Sequence, residues 1–119
     1  MNSNNSEVSR ADPEPATFAP EPGLTRRILA NNPLLMLVEH HMAPDWVGAR
    51  HSHPHDQLVY VLSGHLTIAC GHAAPFEVRA GDSFVVKGGV EHQARAHTAS
   101  HVLDVFTPTR LDYLPGATT

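Results

Sequence analysis

Residues 51–64 read HSHPHDQLVYVLSG, and their reading decides the fold. Three imidazoles, a carboxylate and an amide fall within seven residues, and a β-rich run then ends at Gly64. On an extended chain residues i and i+2 share a face, so His51 and His53 lie ~6–7 Å apart along one side. That spacing lets both rings converge on one cation. Gln57 has the same parity, beyond a turn that Pro54 imposes. His92 follows a glycine turn in GGVEHQ and supplies the fourth donor of a candidate His₃Gln metal site. His55 fits a solvated turn and is left out of the ligand set. The other histidines are expected at the surface, beside the ligands or at an interface.

Working outward, turn signals break the chain into short β-rich runs. LTRRILA and LLMLVEHHM are separated by Asn31-Asn32-Pro33, and APDWVG at 43–48 is a loop. QLVYVLSG and HLTIACG meet at Ser63-Gly64, which predicts a hairpin. FEVRA, SFVVKGG, EHQARAHT and HVLDVF follow, each bounded by glycine or polar turns. TPTRLDYLPG is a proline-bounded tail with room for one helical turn. About nine strands at spacings near 8–12 residues, with no long 3.6-residue period, predict an all-β sandwich or barrel. Residues 1–22 are polar and proline-punctuated, and are expected to be a disordered tail or a docking arm anchored by Phe18. Residues 23–119 are expected to form one domain.

The 119 residues are enough for a single core. Net charge is −4, and the eight Lys and Arg form no stripe, so no nucleic-acid footprint is present. One cysteine, Cys70, excludes an intramolecular disulfide. No secretory signal is visible and no run of about 18 apolar residues occurs, so the expected location is the cytoplasm, without membrane contact.

The closing strand carries a second group of candidates. Val102, Asp104 and Phe106 share one face by alternation, and an Asp within an apolar run needs a partner or a wet mouth. Asp104 is the candidate general acid or base, kept ionised by a nearby cation. Phe106 offers an apolar wall, and Arg110 a guanidinium able to grip a substrate carboxylate.

These stretches resemble the cupin family, whose first motif is G-x₅-H-x-H-x₃₋₄-E-x₆-G. His51, His53 and Gly64 match it, with Gln57 in the glutamate place and Gly48 closer to His51 than the motif expects. In the second motif, G-x₅-P-x-G-x₂-H-x₃-N, Gly81, Gly89 and His92 are in place, while Lys87 replaces Pro and Ala96 replaces Asn. The resemblance covers residues 24–110 and implies the cupin double-stranded β-helix, a jelly-roll barrel. A neutral Gln in place of Glu leaves a bound cation its full charge, at some loss of affinity. The donors suit Zn, Ni, Fe or Mn without choosing among them.

The D-x-F-x-P-x-R ending, residues 104–110, is similar to the KdgF family of small cupins in pectin and alginate breakdown. That resemblance implies metal held by His51, His53, Gln57 and His92, and a working trio of Asp104, Phe106 and Arg110. It also implies opening of 4,5-unsaturated uronates to linear keto sugars without a redox cofactor, and we expect a homodimer. Other cupin chemistries, an Fe dioxygenase or a Zn polyketide cyclase, and a non-catalytic sugar-binding or sensing cupin are the alternatives.

Overall fold

A computed structural model describes residues 7–115. Its strands are β1 (Thr17–Glu21), β2 (Leu24–Asn31), β3 (Met36–Met42), β4 (Asp56–Ser63) and β5 (His65–Cys70). They continue with β6 (Phe76–Arg79), β7 (Ser83–Val86), β8 (His92–Ala96) and β9 (Ser100–Thr107), and a single 3₁₀ turn follows at Leu111–Tyr113. Six strands form one sheet in the order β1-β2-β3-β9-β4-β7, and three form another in the order β6-β5-β8. Every named pairing is antiparallel. This is the expected all-β jelly roll, with the short helical turn in the expected tail.

Strand parity decides which side chains fill the space between the sheets. Val59 and Val61 of β4, Leu66 and Ile68 of β5, Val78 of β6 and Val102 of β9 are buried together. Met36, Val38 and Phe106 form a second buried group at the other end. Burying each such side chain contributes roughly 1.5–3 kcal/mol, which sets the strand register firmly. The opposite parity of β4 faces outward, leaving Leu58, Tyr60 and Leu62 exposed, with Val85 of β7 beside Leu58.

Two expectations are corrected. The runs meeting at Ser63-Gly64 do not pair as a hairpin: β4 bonds to β7 and β9, whereas β5 bonds to β6 and β8. Gly64 instead turns the chain from one sheet into the other. Its φ is +104°, and a Cβ there would lie 2.2 Å from Ser100 Oγ, so both conformation and space demand glycine. Alternating apolar residues look the same on both sides of a hairpin and of a corner. The second correction concerns residues 1–22. Strand β1 pairs with β2 over part of that stretch, and Trp46 Nε1 donates to Glu21 Oε1 at 2.8 Å. An edge strand is held by backbone hydrogen bonds, which low apolar content does not forbid. Phe18 is half-buried in β1, and residues 1–6 lie outside the described residues.

Candidate metal centre and its cavity

The backbone brings the histidines together. His51 and His92 form an isolated antiparallel bridge, each N–H donating to the other's carbonyl at 3.0 and 2.8 Å. Their rings stand 4.4 Å apart, centroid to centroid. His53 joins from the turn before β4, with its ring 4.9 Å from that of His92. The Gly88-Gly89 turn locks that segment. Gly89 N–H donates to His53 O at 2.8 Å, and Gly88 N–H donates to Asp56 Oδ1 at 2.7 Å. A Cβ on Gly88 would sit 2.3 Å from Pro54 O, so this close approach admits only glycine. His51 and His53 thus share the expected side, although the segment is a bridge and a turn rather than a regular strand.

Hydrogen bonds fix which nitrogen of each ring is available. Nδ1 of His51 lies 2.9 Å from Ala49 O, Nδ1 of His53 lies 3.1 Å from His55 O, and Nδ1 of His92 lies 2.9 Å from Val90 O. A carbonyl only accepts, so each Nδ1 carries the proton and each neutral ring presents a bare Nε2. Burial, aided by the Arg110 charge, holds His53 below the usual histidine range. Burial likewise depresses His92. Both effects favour the neutral, ligating form.

A metal fits these donors. One ligand atom from each of His51, His53 and His92 lies within 4.8 Å of the others. His92 Nε2 is buried without a hydrogen-bond partner. His53 Nε2 faces Gln57 Oε1 at 3.1 Å, and with Nδ1 protonated both of these atoms are acceptors. Two lone pairs meeting at that distance call for a cation between them. The Gln57 amide is oriented by its other end, because Nε2 donates to Asp104 Oδ1 at 2.7 Å. A flipped amide would set oxygen against carboxylate oxygen.

A second group, Glu39, His41 and His101, lies on the outward parity of β3 and β9. It needs no ion. Arg27 Nε reaches Glu39 Oε1 at 2.6 Å and His101 Nε2 reaches Oε2 at 2.7 Å, so both carboxylate oxygens are already served.

Asp104 is buried on the inward face of β9, opposite Val59 of β4 and diagonal to Gln57. Its Oδ2 lies 2.7 Å from His40 Nδ1. Arg26 Nε donates to His40 Nε2 at 2.9 Å, and arginine has no acceptor to offer. His40 therefore accepts at Nε2 and donates at Nδ1. Asp104 receives one hydrogen bond on each oxygen, from His40 and from Gln57. His40 and Arg26 were not singled out in the sequence, although their alternation with buried Val38 and Leu24 places them inward.

Phe106 packs against His53, with ring centroids 5.7 Å apart, and against Tyr113 at 5.5 Å. Arg110 borders the same cavity, but each of its three nitrogens already donates one hydrogen bond. NH2 and Nε reach Asp112 at 2.8 and 3.3 Å, and NH1 donates to the Tyr113 hydroxyl at 2.9 Å. Burial pushes the Tyr113 hydroxyl up, against the pull of Arg26 and Arg110. The cavity measures about 340 Å³. One end carries His51, His92, Gln57, Asp104, Arg26 and Arg110; the other is apolar, with Leu66, Ile68, Val78 and Phe84.

A three-histidine cluster at one end of a jelly-roll barrel, with His53 and His92 buried and His51 exposed, is a cupin arrangement, and the sequence comparisons agree. The cupin domain model matches residues 38–106, and the chain belongs to that family. Among individual proteins it resembles pectin degradation protein KdgF of Dickeya dadantii (strain 3937). The two are 30% identical over 94 residues, covering 77% of this chain and 84% of that one. The structure of KdgF from a Halomonas species superposes with a TM-score of 0.79 at 33% identity, covering 92% of this chain and 96% of the other. An RmlC-like cupin from Shewanella frigidimarina NCIMB 400 gives 0.81 at 31% identity, covering 85% and 90%.

Proposed function

We propose that this cupin is a metal-dependent enzyme that opens 4,5-unsaturated uronates to linear keto sugars. One observation carries the proposal: bare nitrogens and the Gln57 oxygen converge beside a buried carboxylate that is offered two hydrogen bonds. The likeness to a pectin degradation protein supplies the substrate class. His51, His53, Gln57 and His92 would hold one divalent Zn, Ni, Fe or Mn ion, which supplies a Lewis acid for substrate oxygens. No ligand of that set is anionic, so the cavity gains the full charge of the ion. Asp112 balances Arg110, and Asp104 balances Arg26, so the loaded cavity is net positive and suits an anion.

Asp104 carries the proton. It is buried, its orientation is fixed by His40 and Gln57, and it takes the proton that the hemiacetal hydroxyl releases as the ring C–O bond breaks and returns it to the alkene carbon, so that substrate and keto sugar are isomers. Phe106 forms the wall against which the ring lies. Tyr113 and Asp112 brace Arg110 at the rim.

The same proposal includes a homodimer in the cytoplasm. Leu58, Tyr60, Leu62 and Val85 present an apolar outer face that a second copy would cover. Cys70 is free, and no helix among the described residues is long and apolar enough to cross a membrane.

The test is to follow the conjugated-alkene absorbance of an unsaturated uronate with metal-loaded protein. Decay well above the spontaneous rate is expected. Asp104→Asn should retain the metal and lose about 10²–10⁴-fold in rate, the usual worth of a positioned proton carrier. Decay at the spontaneous rate with wild-type protein defeats the proposal.

A further inference from the structure

Arg26 is an arginine pointing into the barrel without a carboxylate partner. It alternates with Leu24 and Ile28 on β2 and stands opposite His40 on β3. It lines the cavity. Its Nε is spent on His40, and its guanidinium carbon lies 3.6 Å from the centre of the Tyr113 ring. Among the described residues neither terminal amino group has an ion-pair or hydrogen-bond acceptor. A guanidinium in a part-buried site is costly unless its donors are met. Stacking on Tyr113 holds the plane and leaves the edge free. Arg110 differs, because each of its three nitrogens already donates to Asp112 or to the Tyr113 hydroxyl.

We infer that Arg26 is the carboxylate-binding residue of this cavity, receiving a substrate carboxylate on its two terminal amino groups. The inference rests on the uronate proposal for its substrate, though not for its chemistry, since any small carboxylate entering the cavity meets the same free edge. Arg110 then shapes the wall through Tyr113 and Phe106. The Arg26–His40 bond also ties the binding group to Asp104, so a carboxylate held on Arg26 stands at a fixed distance from the proton carrier.

The experiment is calorimetric titration of metal-loaded protein with galacturonate, with neutral galactose, and with glutarate, a dicarboxylate without a sugar ring. Galacturonate has no alkene, so binding is read without turnover. Wild-type protein should prefer galacturonate to galactose. Arg26→Met should lower galacturonate affinity by roughly 10- to 100-fold, the loss expected when one partner of a partly desolvated charge pair is removed, and leave galactose affinity nearly unchanged. Arg26→Lys should recover part of the preference, which a mere packing defect would not allow. Retention of the wild-type preference in Arg26→Met overturns the inference. If wild-type protein binds glutarate but neither sugar, and Arg26→Met abolishes that binding, the inference stands and the uronate proposal falls. If wild-type protein binds no carboxylate, the inference falls with it.

Discussion

Replacing Gln57 with Glu restores the usual cupin ligand and should destabilise the metal-free protein. The amide nitrogen of Gln57 lies 2.7 Å from Asp104 Oδ1, and glutamate puts an oxygen in its place. The lost hydrogen bond to a charged group is worth about 1.5–3 kcal/mol. Two ionised carboxylates about 3 Å apart repel by about 5 kcal/mol at an effective dielectric of 20. Rotation of the new side chain and uptake of a shared proton relieve part of this, so a net cost of about 2–5 kcal/mol at pH 8 is expected. The sign of the pH dependence follows from the proton. The folded variant binds one that its unfolded chain has released, so its stability falls as pH rises above the ordinary carboxylate range. Urea denaturation of metal-stripped wild type and Gln57→Glu from pH 5 to 8 measures it. The gap should widen with pH, and a loaded divalent cation should close most of it. Gln57→Leu controls for the lost amide, since it adds no charge and its gap should not widen. A Gln57→Glu gap that is constant with pH refutes the placement of Gln57 as donor to Asp104.

Three further outcomes follow from the same geometry. His53→Ala should take bound metal from near one ion per chain to near none, read by elemental analysis after dialysis, because it removes a ligand that the Gly88-Gly89 turn holds in place. Gly64→Ala should cost about 2–4 kcal/mol in urea unfolding, since it strains a positive φ and drives a methyl into Ser100; a wild-type midpoint would contradict the corner. In metal-free protein, burial lowers the folded-state affinity of His53 and His92 for protons. The unfolded chain then binds more protons below about pH 6.5, so stability should be level above that pH and fall beneath it. The loss of Glu39's bond to Arg27 adds to it at lower pH, because that bond holds the carboxyl below its usual range.

Much of the fold was legible because strand parity is a two-valued code. Val102, Asp104 and Phe106 of β9 are all buried, as their alternation requires. What alternation does not encode is which strand lies beside which. A run that ends at Gly64 looks alike whether the chain folds back on its own sheet or crosses to the other. The corner is set by Ser100, 36 positions away, whose contact with Gly64 leaves no trace in the local pattern. The edge strand β1 was hidden for a related reason. Its stabilisation comes from main-chain bonds to β2, and main-chain bonds have no side-chain signature.

The candidate site divides along the same line. His51, His53 and Gln57 are close in sequence, so their spacing alone places them together, and His92 is added by the glycine turn before it. His40 and Arg26 form one hydrogen-bonded chain with Asp104 and Gln57, yet they lie on two other strands. The sequence does hold a signal for them. His40 and His41 are adjacent, so one must face the cavity and the other the outside; buried Val38 and Met36 share parity with His40. Carrying that parity across the β2–β3 pairing turns Arg26 inward as well, because Arg26 stands opposite His40. An inward arginine is rare enough to demand a partner, and the described residues offer it only a histidine nitrogen and an aromatic face. The hydrogen-bond polarity then runs one way, from Arg26 through His40 to Asp104, and from Gln57 to Asp104 on the other side. His40 is held at both nitrogens, by Arg26 at Nε2 and by Asp104 at Nδ1, so removing Arg26 leaves the ring on its one bond to Asp104 as well as removing a charge. Arg26→Met should therefore weaken carboxylate binding and slow proton transfer together, whereas Arg110→Met leaves the His40 ring anchored at both nitrogens. A variant of Arg26 that lost affinity but kept the full catalytic rate would show that Asp104 alone holds the His40 ring in place.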